Sequence, residues 1–392
     1  MGESGPRLLI VDDNEDNRYT LALLLEIEGY TDLTMAEDGA QALDALGAQK
    51  FDLVLLDVMM PHVNGYQVLE QLRAEGRLGD PPVIMISALE ELESTVRCIE
   101  LGAVDYLPKP FEPVLLKARV RATLEQKSLA DEVKSHRDRM EAELNEAREL
   151  QQALCPRTFP PVTPAQPFDI HGMMTPACEV SGDFFDFFYC ADGRLCVVIS
   201  DVAGKGAPAA LFMARTRDIV RLAAENIRGP AGGPMEPHEI VGQANVMLAA
   251  ANPSFTFVTL FVGLLNPIDG TLRYCNAGHD DPYLLHRHGG LRALTGGKGP
   301  PAGLRPRHVY ASAQCAFAAG DTLFIYTDGV TEALDKAGAL FGEAALESVL
   351  RGQGWGNAGA GAIVAAVATA VTAFAAGAEQ ADDITMLAVR QP

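Results

Sequence analysis

Two short apolar runs, Leu8 to Val11 and Phe51 to Leu56, each end directly in carboxylates, Asp12-Asp13 and Asp57. Runs of this length suit buried strands, and two more follow at Val83 to Ile86 and Tyr106 to Leu107, with helix-period segments between them. Such alternation predicts a doubly wound α/β sheet over residues 1–120. In a parallel sheet the carboxyl ends of the strands share one edge, so Asp12, Asp13 and Asp57 are expected to meet there. Three unpaired carboxylates repel and raise one another's pKa, whereas a Mg²⁺ among them stabilises all three as anions. Ser87 and Lys109 follow the next two strands and bring a hydroxyl and a cation to the same edge. A metal, a lysine and a carboxylate together suit the acceptance of a phosphoryl group on that carboxylate.

On these residues the segment resembles the response-regulator receiver family. Asp12-Asp13, Asp57 in Leu-Asp-Val-Met-Met-Pro, Ser87-Ala88 and Lys109-Pro110 stand at that family's spacing, with Tyr106 at its aromatic switch position. The resemblance implies a flavodoxin-like fold in which a sensor histidine kinase phosphorylates Asp57. It also implies that Asp12, Asp13 and Asp57 hold Mg²⁺, that Ser87 and Lys109 grip the phosphoryl oxygens, and that Lys109-Pro110 is a cis peptide.

From about Leu115 to Leu154 the chain turns to dense mixed charge, with apolar residues at Leu129, Val133, Met140, Leu144, Ala147, Leu150 and Leu154. These intervals, mostly of three and four, predict a helix with imperfect, coiled-coil-like heptads. Burying that seam takes a partner helix, expected from a second copy of the chain, which makes residues 121–158 a dimerisation and signalling linker. Pro156, Pro160, Pro161, Pro164 and Pro167 then end the helix.

Residues 159–392 read as a second α/β domain. Leu195 to Asp201, Phe257 to Leu265, Thr271 to Asn276, Thr322 to Thr327 and Ile384 to Val389 are strand-like, and helices fall near 207–226, 237–251 and 343–350. The turn at Pro267 to Gly270 predicts antiparallel pairing, and loops are expected at Gly229 to Pro237 and Gly296 to Gly303. No charge occurs between Arg351 and Glu379, but Ile363, Val364, Val367, Val371 and Phe374 fall near a 3.6-residue period. That describes a core helix rather than a membrane span.

Acids recur where these strands meet turns: Gly182-Asp183, Asp201-Val202-Ala203-Gly204-Lys205-Gly206, Thr327-Asp328-Gly329 and Asp382-Asp383. No Ser-His-Asp order, reactive Cys motif or Walker lysine accompanies them, so the attacking group is expected to be water activated by divalent ions. Four carboxylates can hold two Mg²⁺ or Mn²⁺ ions. Here the chain resembles metal-dependent Ser/Thr phosphatases, in the bacterial sporulation and stress-response branch that acts on anti-sigma factor antagonists. Further matching pieces are Glu149 to Leu154, Asn245, Phe257-Val258-Thr259, Asn276 to His279, Thr331-Glu332-Ala333 and Ile384-Thr385. The resemblance implies an α/β β-sandwich with helices on both faces. It also implies that Asp201 bridges the ions, that Val202 offers its carbonyl, and that Asp183, Asp328 and Asp382 complete the set. Ser181, Phe185 and Asp280-Asp281 depart from the family's usual residues.

Other marked residues have two readings each. His279 either acts on substrate or is a structural turn histidine. Asp186 and Asp383 either support the metal site or cap backbone groups, and Lys205 either attracts phosphate or is solvated. The aromatic run Phe184 to Tyr189 reads as core.

The function implied is that of a response regulator whose output removes phosphate from phosphoserine or phosphothreonine, under control of Asp57. The alternative is a scaffold that only binds an anti-sigma factor or antagonist. Charge narrows the partners. The chain carries 52 Asp and Glu against 31 Lys and Arg, a net charge of −21, which disfavours nucleic acid and anionic membrane. Residues 1–120 contribute 22 acids and 9 bases, 121–158 contribute 8 and 7, and 159–392 contribute 22 and 15. Seven scattered Cys and the absence of an apolar leader at Met1 to Arg7 predict free thiols in the cytoplasm.

Overall fold

The computed structural model describes residues 5–87, 92–178, 180–225, 234–250, 252–352, 355 and 358–392. Ala88 and Gly229 to Gly233, named above, lie outside them. The chain divides into two compact units, Met1–Met140 and Glu141–Pro392.

The first unit alternates β1 (Arg7–Val11), α1 (Glu15–Ile27), β2 (Asp32–Ala36), α2 (Gly39–Ala48), β3 (Leu53–Asp57), α3 (Gly65–Ala74), β4 (Val83–Ser87), α4 (Leu92–Leu101) and β5 (Asp105–Pro108). All pairings are parallel, in the order β2-β1-β3-β4-β5. The apolar runs are continuous because each central strand is covered on both faces. In β1, Leu9 and Val11 pack into one core while Leu8 and Ile10 pack into the other. β2 was not among the expected strands. It is an edge strand whose Met35 is half exposed, so it lacks the apolar run that marks its neighbours. Helix α5 (Pro113–Gln152) covers residues 121–152 of the expected linker and ends six residues before its expected boundary. Leu129, Val133, Met140 and Leu150 on it are exposed.

The second unit contains β6 (Asp169–Thr175), β7 (Phe184–Tyr189), β8 (Leu195–Val202), α6 (Ala207–Glu225), α7 (Pro237–Ala249), β9 (Val258–Asn266), β10 (Thr271–Ala277), β11 (Tyr283–Leu285), β12 (Leu291–Ala293), β13 (Lys298–Gly299), β14 (Ala313–Ala316), β15 (Thr322–Tyr326), α8 (Gly342–Leu350), α9 (Ala360–Ala375) and β16 (Ile384–Arg390). One sheet runs β13-β10-β9-β8-β7 with β14 paired to β10, and the other runs β12-β11-β15-β16-β6. Period-two alternation explains the layering. Leu195, Val197 and Ile199 pack with Leu323, Ile325, Leu387 and Val389 between the sheets. Cys196 and Val198 face α6 and α7, and Phe324, Met386 and Ala388 face α8 and α9. The result is a β-sandwich with helices on both faces. The charge-free stretch forms α9, with Ile363, Val364, Val367 and Val371 buried. No helix among the described residues is long and apolar enough to cross a membrane.

Candidate functional sites

In the first unit the strand ends do what the alternation requires. Asp12 is fully buried behind β1, Asp57 closes β3 at 4% exposure, and Asp13 is exposed beside them. One oxygen from each of the three lies within 4.8 Å of the others. Lys109 reaches in from the end of β5, its Nζ 2.7 Å from Asp12 Oδ2 and 2.8 Å from Asp57 Oδ2. Burial raises the Asp57 pKa, Lys109 pulls it back, and Asp12 raises it again. Burial works against the Lys109 ammonium, yet its hydrogen bonds to Asp12 and Asp57 keep its pKa above the usual range. Ser87 is buried at the end of β4 and its carbonyl accepts from Lys109 N at 2.9 Å and from the Tyr106 hydroxyl at 3.3 Å. The Lys109-Pro110 peptide is cis, as is Asp80-Pro81, which carried no expectation.

Two supports were not singled out from sequence. Arg18 NH1 donates to the carbonyls of Asp12 and Asp13 at 2.7 and 3.2 Å, fixing the turn that aims both carboxylates. Gly65 opens α3 so close to β3 that a Cβ there would meet the Asp57 carbonyl oxygen at 2.3 Å. Only a residue without a side chain lets that helix start where it does.

In the second unit the alternation that sends Leu195, Val197 and Ile199 between the sheets reaches Asp201 next. Asp183 precedes β7, Asp328 follows β15, and Asp382 precedes β16, so four separate segments bring acids to one end of the sandwich. Glycine makes the approach possible. A Cβ on Gly329 would lie 2.0 Å from the Asp383 carbonyl oxygen, and one on Gly182 would lie 3.0 Å from that of Val202. Burial, then Asp328 and Asp382, push the Asp201 pKa up to about 7. Burial and Asp201 hold Asp183 well above the carboxylate range, although Thr327 Oγ1 donates to it at 2.7 Å. Burial and the nearby Glu332 and Asp382 also raise Asp328. Burial and the mutual repulsion of Asp183 and Asp201 disfavour their anions without a counter-charge. This donor set therefore fits cations of high charge. Among the described residues only the N-terminal trio gathers its ligand atoms within 4.8 Å.

The remaining expectations separate. Asp383 caps a loop, accepting from Ser181 Oγ at 2.7 Å, Gly182 N at 2.8 Å and Ala177 N at 2.8 Å. Lys205 Nζ lies 3.4 Å from Asp382 Oδ2 and donates to the Ala381 carbonyl, so it is tied to the acids rather than free in solvent. His279 is buried, its Nδ1 2.9 Å from Thr259 Oγ1 and its backbone N–H bonded to Asn276 Oδ1, and burial lowers its pKa to about 4. These contacts agree with the turn-forming reading, while its buried Nε2 has no hydrogen-bond partner among the described residues. Asp186 is buried against Arg217 and Arg221 of α6, at 3.3 and 3.0 Å. Those partners lie over thirty residues away, beyond any local pattern. Asp280, noted above only as a departure, is raised to about 6 by burial and then by Asp328.

A flavodoxin-order receiver sheet with a caged carboxylate, and a helix-covered β-sandwich with acids at one end, define a receiver protein with a metallophosphatase-type output fold. Residues 191–392 match the Stage II sporulation protein E family and residues 8–121 match the response regulator receiver domain; the chain belongs to the Stage II sporulation protein E family and carries a receiver domain before it. Protein IcfG of a Synechocystis species is 30% identical over 281 residues, 67% of this chain and 43% of that protein. Response regulator MprA of Mycobacterium ulcerans is 40% identical over 126 residues, 32% of this chain and 53% of that protein. The chain thus spans about half the length of the curated relatives it matches. The solved SiaA-PP2C domain of Pseudomonas aeruginosa shares the fold, with a TM-score of 0.55 and 21% identity over 65% of this chain and 98% of that one.

Proposed function

We propose that this chain is a cytoplasmic two-component response regulator whose output is hydrolysis of phosphoserine or phosphothreonine on a protein. The observation that carries the reading is the convergence of Asp183, Asp201, Asp328 and Asp382 at one end of the sandwich, with burial and then neighbouring carboxylates raising the pKa of Asp183, Asp201 and Asp328, in a chain that also cages Asp57. Asp201 sits centrally and would bridge two ions, with Asp183, Asp328, Asp382 and the Val202 carbonyl completing their shells; Asp12, Asp13 and Asp57 would hold one Mg²⁺. When bound, Mg²⁺ or Mn²⁺ in the C-terminal site supplies charge neutralisation for the transferring phosphoryl group and lowers the pKa of water. The residues themselves do the positioning. Asp383 holds the Ser181-Gly182 loop that presents Asp183, and Thr327 fixes the Asp183 carboxylate.

In the receiver, Asp57 takes the phosphoryl group from a histidine of a sensor kinase, with Lys109 beside it to neutralise the charge that develops. The substrate class that agrees with the family is a phosphorylated anti-sigma factor antagonist. The exposed seam of α5 pairs with a second copy of the chain. Near-neutral charge over residues 121–158 lets two copies approach there, whereas residues 1–120, with 22 acids and 9 bases, repel.

Asp201→Asn tests the enzymatic half. Turnover of a phosphoserine protein with Mn²⁺ is expected to fall about 10³-fold or more. Melting in EDTA should be unimpaired, because the change relieves charge crowding. Undiminished turnover would refute the assignment, and lost turnover with lost folding would leave Asp201 structural only.

A further inference from the structure

The second unit holds a cavity of about 350 Å³ at the opposite end of the sandwich from its acids. Leu285 pairs with Thr322 at the start of β15, and Asp328 lies six residues on, about 20 Å away along an extended strand. His286, Arg287, His288, Arg351 and Trp355 line the cavity over a base that includes Leu285 and Leu350. Among the described residues no Asp or Glu lines it, although the chain carries 52 of them. The nearby carboxylates are engaged. Asp321 is 3.3 Å from His286 Nδ1 and accepts from Arg287 N, and Glu347 is 3.1 Å from Arg351.

Arg287 and His288 line this space as exposed side chains, and Trp355 lines it with its Nε1 buried and without a hydrogen-bond partner among the described residues. The aliphatic part of Arg287 packs over Gly320, which fixes its stem. Two of the last carbonyls of α8, those of Glu347 and Val349, accept from Arg351 N and Gly352 N at 2.8 and 2.9 Å. A guanidinium offers planar donors matched to phosphate, and an indole offers a stacking face. The volume falls at the lower end of the range for small-molecule sites, about 300–1,000 Å³. A strand of nucleic acid is the poorer match, because the cavity accommodates one ring and the net charge of −21 repels a polyanion.

We propose that this cavity binds a mononucleotide, its base on Trp355 and its phosphates on Arg287, His288 and Arg351. Trp355 is the chain's only tryptophan, so the site carries its own reporter. The full chain in EDTA, which silences the carboxylate sites, is titrated with ATP, GTP, adenosine and inorganic phosphate while indole fluorescence is followed at an excitation that nucleotides do not absorb. Equilibrium dialysis with labelled nucleotide is run in parallel. Saturable quenching by at least one nucleotide is expected, at least tenfold tighter than by adenosine or phosphate. Arg287→Gln and Arg351→Gln should each weaken it fivefold or more without moving the melting temperature. No saturable response, equal binding of adenosine or of phosphate, or unchanged affinity in both variants would overturn the proposal. If a variant melts early, the other decides, and dialysis with Trp355→Phe, expected to lose affinity, decides independently of fluorescence.

Discussion

Lys109 holds two buried carboxylates, Asp12 and Asp57, that would otherwise oppose each other, and Gly65 lets α3 begin against the backbone of one of them. Gly65→Ala puts a methyl group into that contact. Overpacking of this kind costs about 1–3 kcal/mol. The variant is expected to lower the receiver's thermal midpoint by several degrees and slow phosphorylation of Asp57 by a small acyl-phosphate donor; an unchanged midpoint would show that the helix start can shift freely. The acids of the other unit predict a pH effect. Asp201 titrates at about 7 in the fold and near 3.8 otherwise, so the metal-free fold disfavours its ionised form. Stability on this account is complete below about pH 4 and is lost as pH rises through about 7. In EDTA the second unit should melt lower at about pH 8 than at about pH 5, and Mg²⁺ should restore it at the higher pH. A midpoint indifferent to both pH and metal would contradict the cluster's electrostatics.

At the scale of elements, legibility followed burial. β1, β3 and β4 are covered on both faces and announce themselves as apolar runs; β2 has a half-exposed Met35 and a sequence of mixed polarity, and it stayed hidden. β7 was read as core aromatics, which is right for Phe184 and Phe185 but does not distinguish a strand from any other buried segment. Carboxylates at strand ends were readable because topology brings such ends together. The partners of Asp186 were not, because Arg217 and Arg221 belong to a helix packed across the sheet. Helix α5 was legible from its spacing, and its exposed Leu129 and Val133 make a direct prediction. Val133→Glu, placed in the seam, should convert a dimer into a monomer in sedimentation while leaving each unit's melting unchanged. A wild-type chain that sediments as a monomer, with and without Asp57 phosphorylated, would remove the pairing.

For the whole molecule, charge resolves into parts with different causes. The carboxylates of the receiver edge and of the sandwich end are crowded in a way that suits cations, and among the described residues the cavity at the sandwich's other end has no acid in its lining. On the proposed function, a phosphoryl-accepting unit would control a phosphate-removing one through a two-state element, for which α5 is the candidate. The decisive measurement is the rate at which the full chain, with Mn²⁺, dephosphorylates a phosphoserine protein with and without an acyl-phosphate donor, in wild type and in Asp57→Asn. The rate is expected to change severalfold with donor in the wild type and to ignore it in the variant. A wild-type rate that is robust yet indifferent to donor would contradict the coupling of the two sites.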